Sequence, residues 1–506
     1  MEDLVQEKKR KSVKKNYIYN LFYQAFSLIV PLLVTPYVSR VLLPEGNGAY
    51  SFSFSLITYF TIFASLGFGI YAQREIAKHQ GDQHKQTILF WEMNIARIFP
   101  VLVSLIVNIC LCCFNVYESY TMLMWVLNIN ILAVCFDIAF FFQGNEEFGK
   151  LVLRNAIIKL LSTIAIFIFV KNEKDLLIYT LINSVMVIVS NLIMWLTLPK
   201  LLCRVSIKEL RPLTHMKGSL RLFIPAIATT VYTVLDKTLI GFLIQDTYTV
   251  IEDGVEIVKR YADLENGYYE QSEKIVKMAM TIITCIGTVM IPRNSHEIAS
   301  GNTEKVKENI YLSARIVWLI AIPLSLGFVA IANNFVPWFY GDGYQPCVNI
   351  ISILSFLIII IGFSNVFGIQ YLLPYGKDNK YTIAIVVGAI TNLIFNLIFI
   401  PLWWSMGAAI ASLIGEFMVT LVMMLMIRKE ISFKKIILSS WRYCLSGLIM
   451  FGITYYVGTL FPSSIGYTIC LIVIGMAIYG LCLLIFRDSL ILGTIKKVTC
   501  KFKKEK

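Results

Sequence analysis

The pentapeptide Asn94-Ile95-Ala96-Arg97-Ile98 puts a guanidinium in the middle of a long apolar run, and Ala314-Arg315-Ile316 repeats the pattern inside another. An arginine at the depth of a bilayer centre costs at least a few kcal/mol unless it faces protein or water. Each is therefore expected to mark a functional site. Their matching positions in two halves of the chain predict a cationic cavity between related lobes, suited to an anionic cargo.

The runs around these arginines are typical of the whole sequence. Of the 506 residues, 57% are hydrophobic, and the mean hydropathy is +0.70. Such a chain is a polytopic membrane protein. Backbone groups in lipid must be satisfied within their own segment, so the runs are read as helices. The two-residue alternation of a membrane barrel is absent.

The net charge of +13 does not point to nucleic acid, because of where the charges lie. They gather in the N-terminal tail (Lys8 to Lys15), in the C-terminal tail (Lys496 to Lys506), and in two internal segments, Lys200 to Lys217 and Arg428 to Lys435. That is the distribution of cytoplasmic segments in a membrane protein, and it also attracts anionic lipid. The 11 cysteines contain no CxxC and read as small apolar residues, with no metal site expected. The four histidines fall in predicted loops. The basic N-terminus leads into a run too long for a cleaved signal, so it is read as a first span.

About fourteen spans are predicted: 17–40, 49–71, 87–112, 121–143, 149–170, 176–198, 218–243, 269–291, 308–332, 347–372, 381–402, 405–427, 441–461 and 465–486. An even number places both termini in the cytoplasm. The outward segments 333–346, 401–406 and 461–466 contain no Lys or Arg, as that orientation requires. Residues 245–273 form a long acidic outward loop, either a recognition lid or a tolerated insertion.

An internal repeat organises these spans. A separation of 219 residues relates Asn47 to Asn266, Tyr50 to Tyr269 and Arg74 to Arg293, and 218 relates Arg97 to Arg315. The predicted fold is all-α, with two six-helix lobes in parallel pseudo-twofold repeat and two further helices. The boundaries are 1–198 for the N-terminal lobe, 199–217 for a basic cytoplasmic linker, 218–432 for the C-terminal lobe, and 433–506 for the last two spans and basic tail.

Polar residues inside the spans supply the remaining candidates. Asn16, Asn20, Gln24 and Ser27 share one face of the first helix, and Thr229, Thr233 and Asp236 one face of the seventh. They line a wet cavity or tie helices together. Arg97 and Arg315 line the cavity or form buried pairs with Asp137 or Glu416. Lys159 lies mid-span with Arg154 nearer the cytoplasm. Asn155 and Lys159 are spaced i, i+4, as are Asn392 and Asn396. Glu416, Asp137 and Asp236 are the candidates for ion coupling. Prolines at 31, 36, 100, 225 and 323 interrupt spans, which suits moving helices.

Several motifs carry a family resemblance. Thr35-Pro36-Tyr37-Val38-Ser39-Arg40-Val41-Leu42 with Pro44-Glu45-Gly46-Asn47-Gly48-Ala49-Tyr50 resembles the opening signature of Wzx-type polysaccharide flippases. Phe141-Phe142-Gln143-Gly144-Asn145-Glu146 resembles the end of their fourth span. Leu235-Asp236-Lys237-Thr238 and Gly267-Tyr268-Tyr269-Glu270 resemble the start of their second lobe. The likeness covers most of the chain and departs around 246–263. It implies a fold of the MOP exporter superfamily, shared with MATE transporters. It also implies movement of an undecaprenyl-diphosphate-linked oligosaccharide to the outer leaflet of a bacterial plasma membrane for capsule, exopolysaccharide or O-antigen synthesis.

Related peptidoglycan-precursor flippases carry cavity arginines on the first span. Here only Arg40 lies there, near the outer end, so diphosphate binding is assigned to Arg97 and Arg315 with Lys159 and Arg154. Asn20, Gln24, Asn155 and Asn392 complete the candidate cavity lining for diphosphate and sugar. Partners implied are the lipid-linked substrate, membrane lipids, a polysaccharide polymerase and glycosyltransferases. No cofactor is expected, and no GxxxxGK[ST] loop provides for ATP. The rivals are an organic-cation exporter of the same fold, whose cavity should be acid-rich, and a membrane polymerase, which needs catalytic groups in outer loops. A twelve-span sugar porter is disfavoured because Gln73-Arg74-Glu75-Ile76-Ala77-Lys78 lacks that family's loop signature.

Overall fold

A straight helix of 50 residues reaches about 75 Å, more than twice a bilayer core of about 30 Å. The longest helical stretches of this chain must therefore turn back. The computed structural model describes residues 2–198, 201–252 and 255–493, and it places those turns at one or two residues each. Helix α1 (Glu2–Ser65) breaks at Leu43 (φ 57°, ψ 175°), directly before Pro44. Proline bars the helical conformation from the residue before it, and Leu43 takes the reversal.

Unit one comprises Met1–Thr238. After α1 come α2 (Phe68–Lys78), α3 (Gln83–Cys113), α4 (Thr121–Cys135), α5 (Ala139–Gly144), α6 (Phe148–Phe169), α7 (Leu176–Trp195) and most of α8 (Met216–Leu243). Left-handed Leu66 and Gly67 separate α1 from α2. One part of the core is Phe52, Ile57, Leu127 and Ile131, where α1 meets α4. Another joins Phe68, Ile76, Phe90, Phe141 and Phe142. Gly144 permits the close approach there, since a Cβ on it would stand 2.8 Å from Ile76 Cγ2. The span expected at 121–143 is interrupted at 136–138, with consequences described below.

Unit two comprises Leu239–Lys506. It holds strands β1 (Thr247–Glu252) and β2 (Val255–Arg260), then α9 (Tyr261–Ala299), α10 (Thr303–Tyr340), α11 (Cys347–Leu354) and α12 (Leu357–Ser364). A π-helix at Asn365–Leu372 follows, then α13 (Asp378–Ile427), α14 (Phe433–Leu438), α15 (Trp441–Thr459) and α16 (Ile465–Ile485). Helix α13 reverses at Trp403 and Trp404. The returning limb then packs so tightly that a Cβ on Gly407 would stand 2.1 Å from the Phe399 carbonyl oxygen.

The segment 245–273, expected as a long acidic loop, holds two strands and the start of a helix among its described residues. Its first part is an antiparallel ladder running from Thr247–Arg260 to Glu252–Val255. Helix α9 then starts at Tyr261, ahead of the expected start at 269. Alternating β-branched residues (Thr247, Thr249, Ile251; Val255, Ile257) favour the extended form.

Among the described residues, ten helices are long and apolar enough to cross a membrane, two of them 50-residue stretches. The expected count of fourteen takes those two stretches twice and adds α8 and α15. Lipid-facing surface is plain on α6, where Leu153, Ile157, Leu160, Ile164 and Ile168 are exposed. The chain is an all-α polytopic membrane protein carrying one small hairpin.

Candidate functional site

In unit one, α3 starts where the Asp82 carboxylate accepts from the Lys85 N–H at 3.0 Å. Arg97 lies four turns further on and is 3% exposed. Its Nη2 donates to Asn94 Oδ1 at 2.7 Å and to the Cys135 carbonyl at 3.2 Å. The guanidinium also lies 5.8 Å from the centre of the Phe140 ring. Its Nε is buried without a hydrogen-bond partner.

Cys135 is the last residue of α4, and helix-terminal carbonyls have no partner within their helix. Two neighbouring carbonyls there are met in the same way. Asn191 donates to the Ala133 carbonyl at 2.8 Å, and Trp195 Nε1 donates to the Phe136 carbonyl at 2.9 Å. Arg97 thus caps an interrupted helix from its negative end, where a cation is also favoured by the helix dipole. Asp137 is half-buried and accepts from the Ala139 N–H at 3.0 Å. Its charge acts on Arg97 without an ion pair between them.

Arg315, on α10 in unit two, has different company. Its Nη2 lies 3.2 Å from Asp488 Oδ2, 3.0 Å from Ser489 Oγ and 3.3 Å from the Tyr443 hydroxyl. Tyr443 also donates to Asp488 Oδ2 at 2.9 Å, and the N–H groups of Leu490 and Ile491 donate to Asp488 Oδ1. Asp488 is 1% exposed, whereas the Arg315 side chain is 28% exposed. A cavity of about 310 Å³ opens beside it.

The other nominated residues are placed as follows. Arg154 Nε and Nη2 both donate to Asn155 Oδ1, at 3.0 and 2.8 Å, and Lys159 is half-buried on the same helix, α6. Asn392 is buried on α13, with its Nδ2 3.4 Å from Ser412 Oγ; Glu416 is half-buried one turn beyond Ser412. Asp236, expected in a surface pair with Lys237, is 7% exposed, and Thr238 beside it meets Ser55 and Tyr59 at 3.0 Å each. The side chains of Asn20, Gln24 and Thr229 lie outside the described residues.

Two polar clusters escaped the sequence reading. His215 Nε2 lies 2.8 Å from Glu92 Oε2, its Nδ1 lies 3.1 Å from the Tyr71 hydroxyl, and the Arg211 N–H donates to Glu92 Oε1 at 2.5 Å. This histidine was expected in a loop; it sits in a short turn against a glutamate that is 5% exposed. In unit two, Lys377 and the Tyr371 hydroxyl both donate to Glu430 Oε2. Burial raises the Glu430 pKa, but these two donors outweigh it and hold the carboxyl below its usual range. The signal for Asp488 was available: it is the only acid between Glu430 and Glu505.

Comparison with known proteins adds to this geometry. The family profile described as "Polysaccharide biosynthesis protein" matches residues 13–298, and that described as "Lipid II flippase MurJ" matches residues 156–475. A protein of Escherichia coli (strain K12) named "Putative O-antigen transporter" is 24% identical over 431 residues, covering 83% of this chain and 97% of that protein. The lipid II flippase MurJ in an inward closed conformation superimposes with a TM-score of 0.72 at 16% identity, covering 94% of this chain and 99% of that one. An inward-facing MATE multidrug transporter of the MOP superfamily gives 0.62 at 14% identity, covering 82% and 95%. At such identities the two superpositions speak for the fold.

Proposed function

The chain belongs to the polysaccharide biosynthesis protein family, the Wzx-type flippases of the MOP superfamily, and from that premise we propose that it moves a lipid-linked oligosaccharide across the bacterial plasma membrane. It is a transporter rather than an enzyme. The observation that carries the proposal is the pair of family matches, which overlap and together run from residue 13 to 475. Both termini lie in the cytoplasm, and the cargo is an undecaprenyl-diphosphate-linked repeat unit for capsule, exopolysaccharide or O-antigen. A polymerase and glycosyltransferases act beside it.

The physical requirement is clear. A diphosphate with a hydroxyl-rich head cannot enter hydrocarbon without polar partners. Guanidinium and ammonium groups supply them, the former in bidentate fashion. Of the four basic residues nominated, Arg97 is buried against a helix end, and Arg315 pairs with Asp488 through Nη2 beside the cavity in unit two. The cationic role is given to Lys159, mid-helix on α6 and half-buried, with Arg154 five residues earlier on the same helix. Asn155 and Asn392 serve the sugar with Asn20 and Gln24. Alternating access completes the cycle. Outward movement of negative charge down an inside-negative potential gains about 2.3 kcal/mol per charge per 100 mV. Glu416, Asp137 and Asp236 remain the carboxylates for any proton or sodium exchange.

The test is purified protein in liposomes with a labelled lipid-linked oligosaccharide. Transbilayer movement without new glycosidic bonds is expected, and Lys159→Gln should slow it at least about tenfold while the protein melts as wild type. Organic-cation transport alone supports the exporter reading suggested by the MATE likeness. Chain growth supports a polymerase. Either overturns the proposal.

A further inference from the structure

We propose that the cavity beside Arg315 is a binding site for the phosphate of an anionic glycerophospholipid drawn from the surrounding leaflet, separate from the transported cargo. The cavity, about 310 Å³, is lined by Tyr311 and Arg315 of α10, Lys435 of α14, Trp441 and Arg442 of α15, and Asp488 after α16, among others. Three cations and one carboxylate leave a formal charge of +2 (three minus one). The carboxylate is already committed: Arg315, Tyr443 and two backbone N–H groups all donate to Asp488.

The cations, in contrast, have donors left over. The hydrogen bonds of Arg315 all leave from Nη2, and its Nε and Nη1 meet no acceptor among the described residues. Arg442 Nη1 donates to the Arg487 carbonyl at 3.3 Å, while its Nε is buried with no partner. Lys435 Nζ rests 4.5 Å from the Tyr311 ring centre, and the Arg442 guanidinium 5.4 Å from that of Trp441. A buried guanidinium N–H without an acceptor is costly, and a phosphate oxygen is its natural complement.

The surroundings select the carrier of that phosphate. Leu438 (62% exposed) and Trp441 (52%) belong to the lining, and Leu445 and Leu448 continue the exposed apolar surface along α15. An exposed tryptophan beside basic residues at a helix end marks the membrane–water interface. A ligand seated here has its phosphate among the cations and apolar chains along α15. A soluble phosphate matches only the first half of that description. Phosphatidylglycerol and its dimeric relatives match both, and basic pockets between membrane helices bind such head groups elsewhere.

The experiment uses the full chain in nanodiscs of defined lipid, with native mass spectrometry to count lipids retained after release. Wild type should retain phosphatidylglycerol over phosphatidylcholine by about tenfold, and Arg442→Gln should abolish that preference. Lys435→Gln, an exposed substitution that leaves packing intact, should weaken it several-fold and keeps the test decisive if the Arg442 variant misfolds. Equal retention of the two lipids overturns the proposal. So does displacement of phosphatidylglycerol by millimolar inorganic phosphate, which assigns the site to soluble anions, or by a polyprenyl phosphate, which assigns it to the cargo. Loss of oligosaccharide transport with phosphatidylglycerol binding intact bears only on the proposed function.

Discussion

Arg97 and Arg315 occupy equivalent places in a repeat of 218 residues, yet the two units use them for unlike purposes. In unit one the guanidinium is 3% exposed and is spent on an amide and a helix-end carbonyl. In unit two it is 28% exposed and pairs with a buried carboxylate beside a cavity. The difference follows from the neighbouring helix. Unit one interrupts its fourth span at 136–138 and must cover the carbonyls left behind, whereas unit two bends through α11 and α12 into a π-helix. Shared sequence position therefore does not mean shared chemistry. A repeat fixes where a charge enters the membrane, and the local backbone decides what it does there.

The largest test of this contrast is Arg97→Ala. It strands the Cys135 carbonyl and the Asn94 amide oxygen in the interior, at about 1–3 kcal/mol each. A marked fall in melting temperature and in membrane abundance is expected. If Arg97→Ala melts like wild type, the capping role is wrong and the two arginines are again alike. Asp488→Asn should cost less, about 1–3 kcal/mol, because the amide oxygen still accepts from the two backbone N–H groups while the charge and the acceptor of Tyr443 and Arg315 are lost. A melting shift equal to that of Arg97→Ala would erase the distinction. Trp195→Phe removes one of the three helix-end donors and should cost about 1 kcal/mol in unit one, read by the same melting measurement.

The smallest effect sharpens the contrast through pH. The Glu430 pKa is held low in the folded state by Lys377 and Tyr371. Its stabilising contribution is therefore complete above the unfolded carboxylate range and is lost as pH falls through the lower folded value. Glu430 is 33% exposed, so screening keeps the contribution below about 1 kcal/mol. Lys377→Met should flatten that acid-side slope in a melting series, whereas Trp195→Phe should leave it unchanged.

The sequence was legible wherever the physics is local or collective. Long apolar runs, basic tails and short connecting segments without Lys or Arg define a helical membrane protein because each reflects the cost of placing charge in lipid. The motifs around Pro36 and Gly144 carried the family. Partners were harder to read. By sequence Asp137 and Glu416 are the natural acids for the arginines, being carboxylates in apolar runs, yet Arg97 meets a carbonyl exposed by a break at Phe136-Asp137-Ile138, which contains neither Pro nor Gly. Arg315 found an acid 173 residues away, a separation no local pattern encodes. The strands within 247–260 are legible as alternating β-branched residues flanking Asp253-Gly254, a common hairpin dipeptide, although the segment's acidic composition points to a loop.

The reversal at Leu43 leaves the protein no slack on that side of the unit. Helical side chains rotate by about 100° per residue, so one inserted residue after Leu43 would swing the whole following limb by that angle. Buried Ser53 and Ile57 would leave the interior and exposed Phe54 would turn toward it. Strands Thr247–Glu252 and Val255–Arg260 pair with each other, with only two residues between them in sequence and no helical limb to rotate. Length changes should accordingly be accepted there and refused at Leu43, making chain length at that corner as strict a requirement as any side chain.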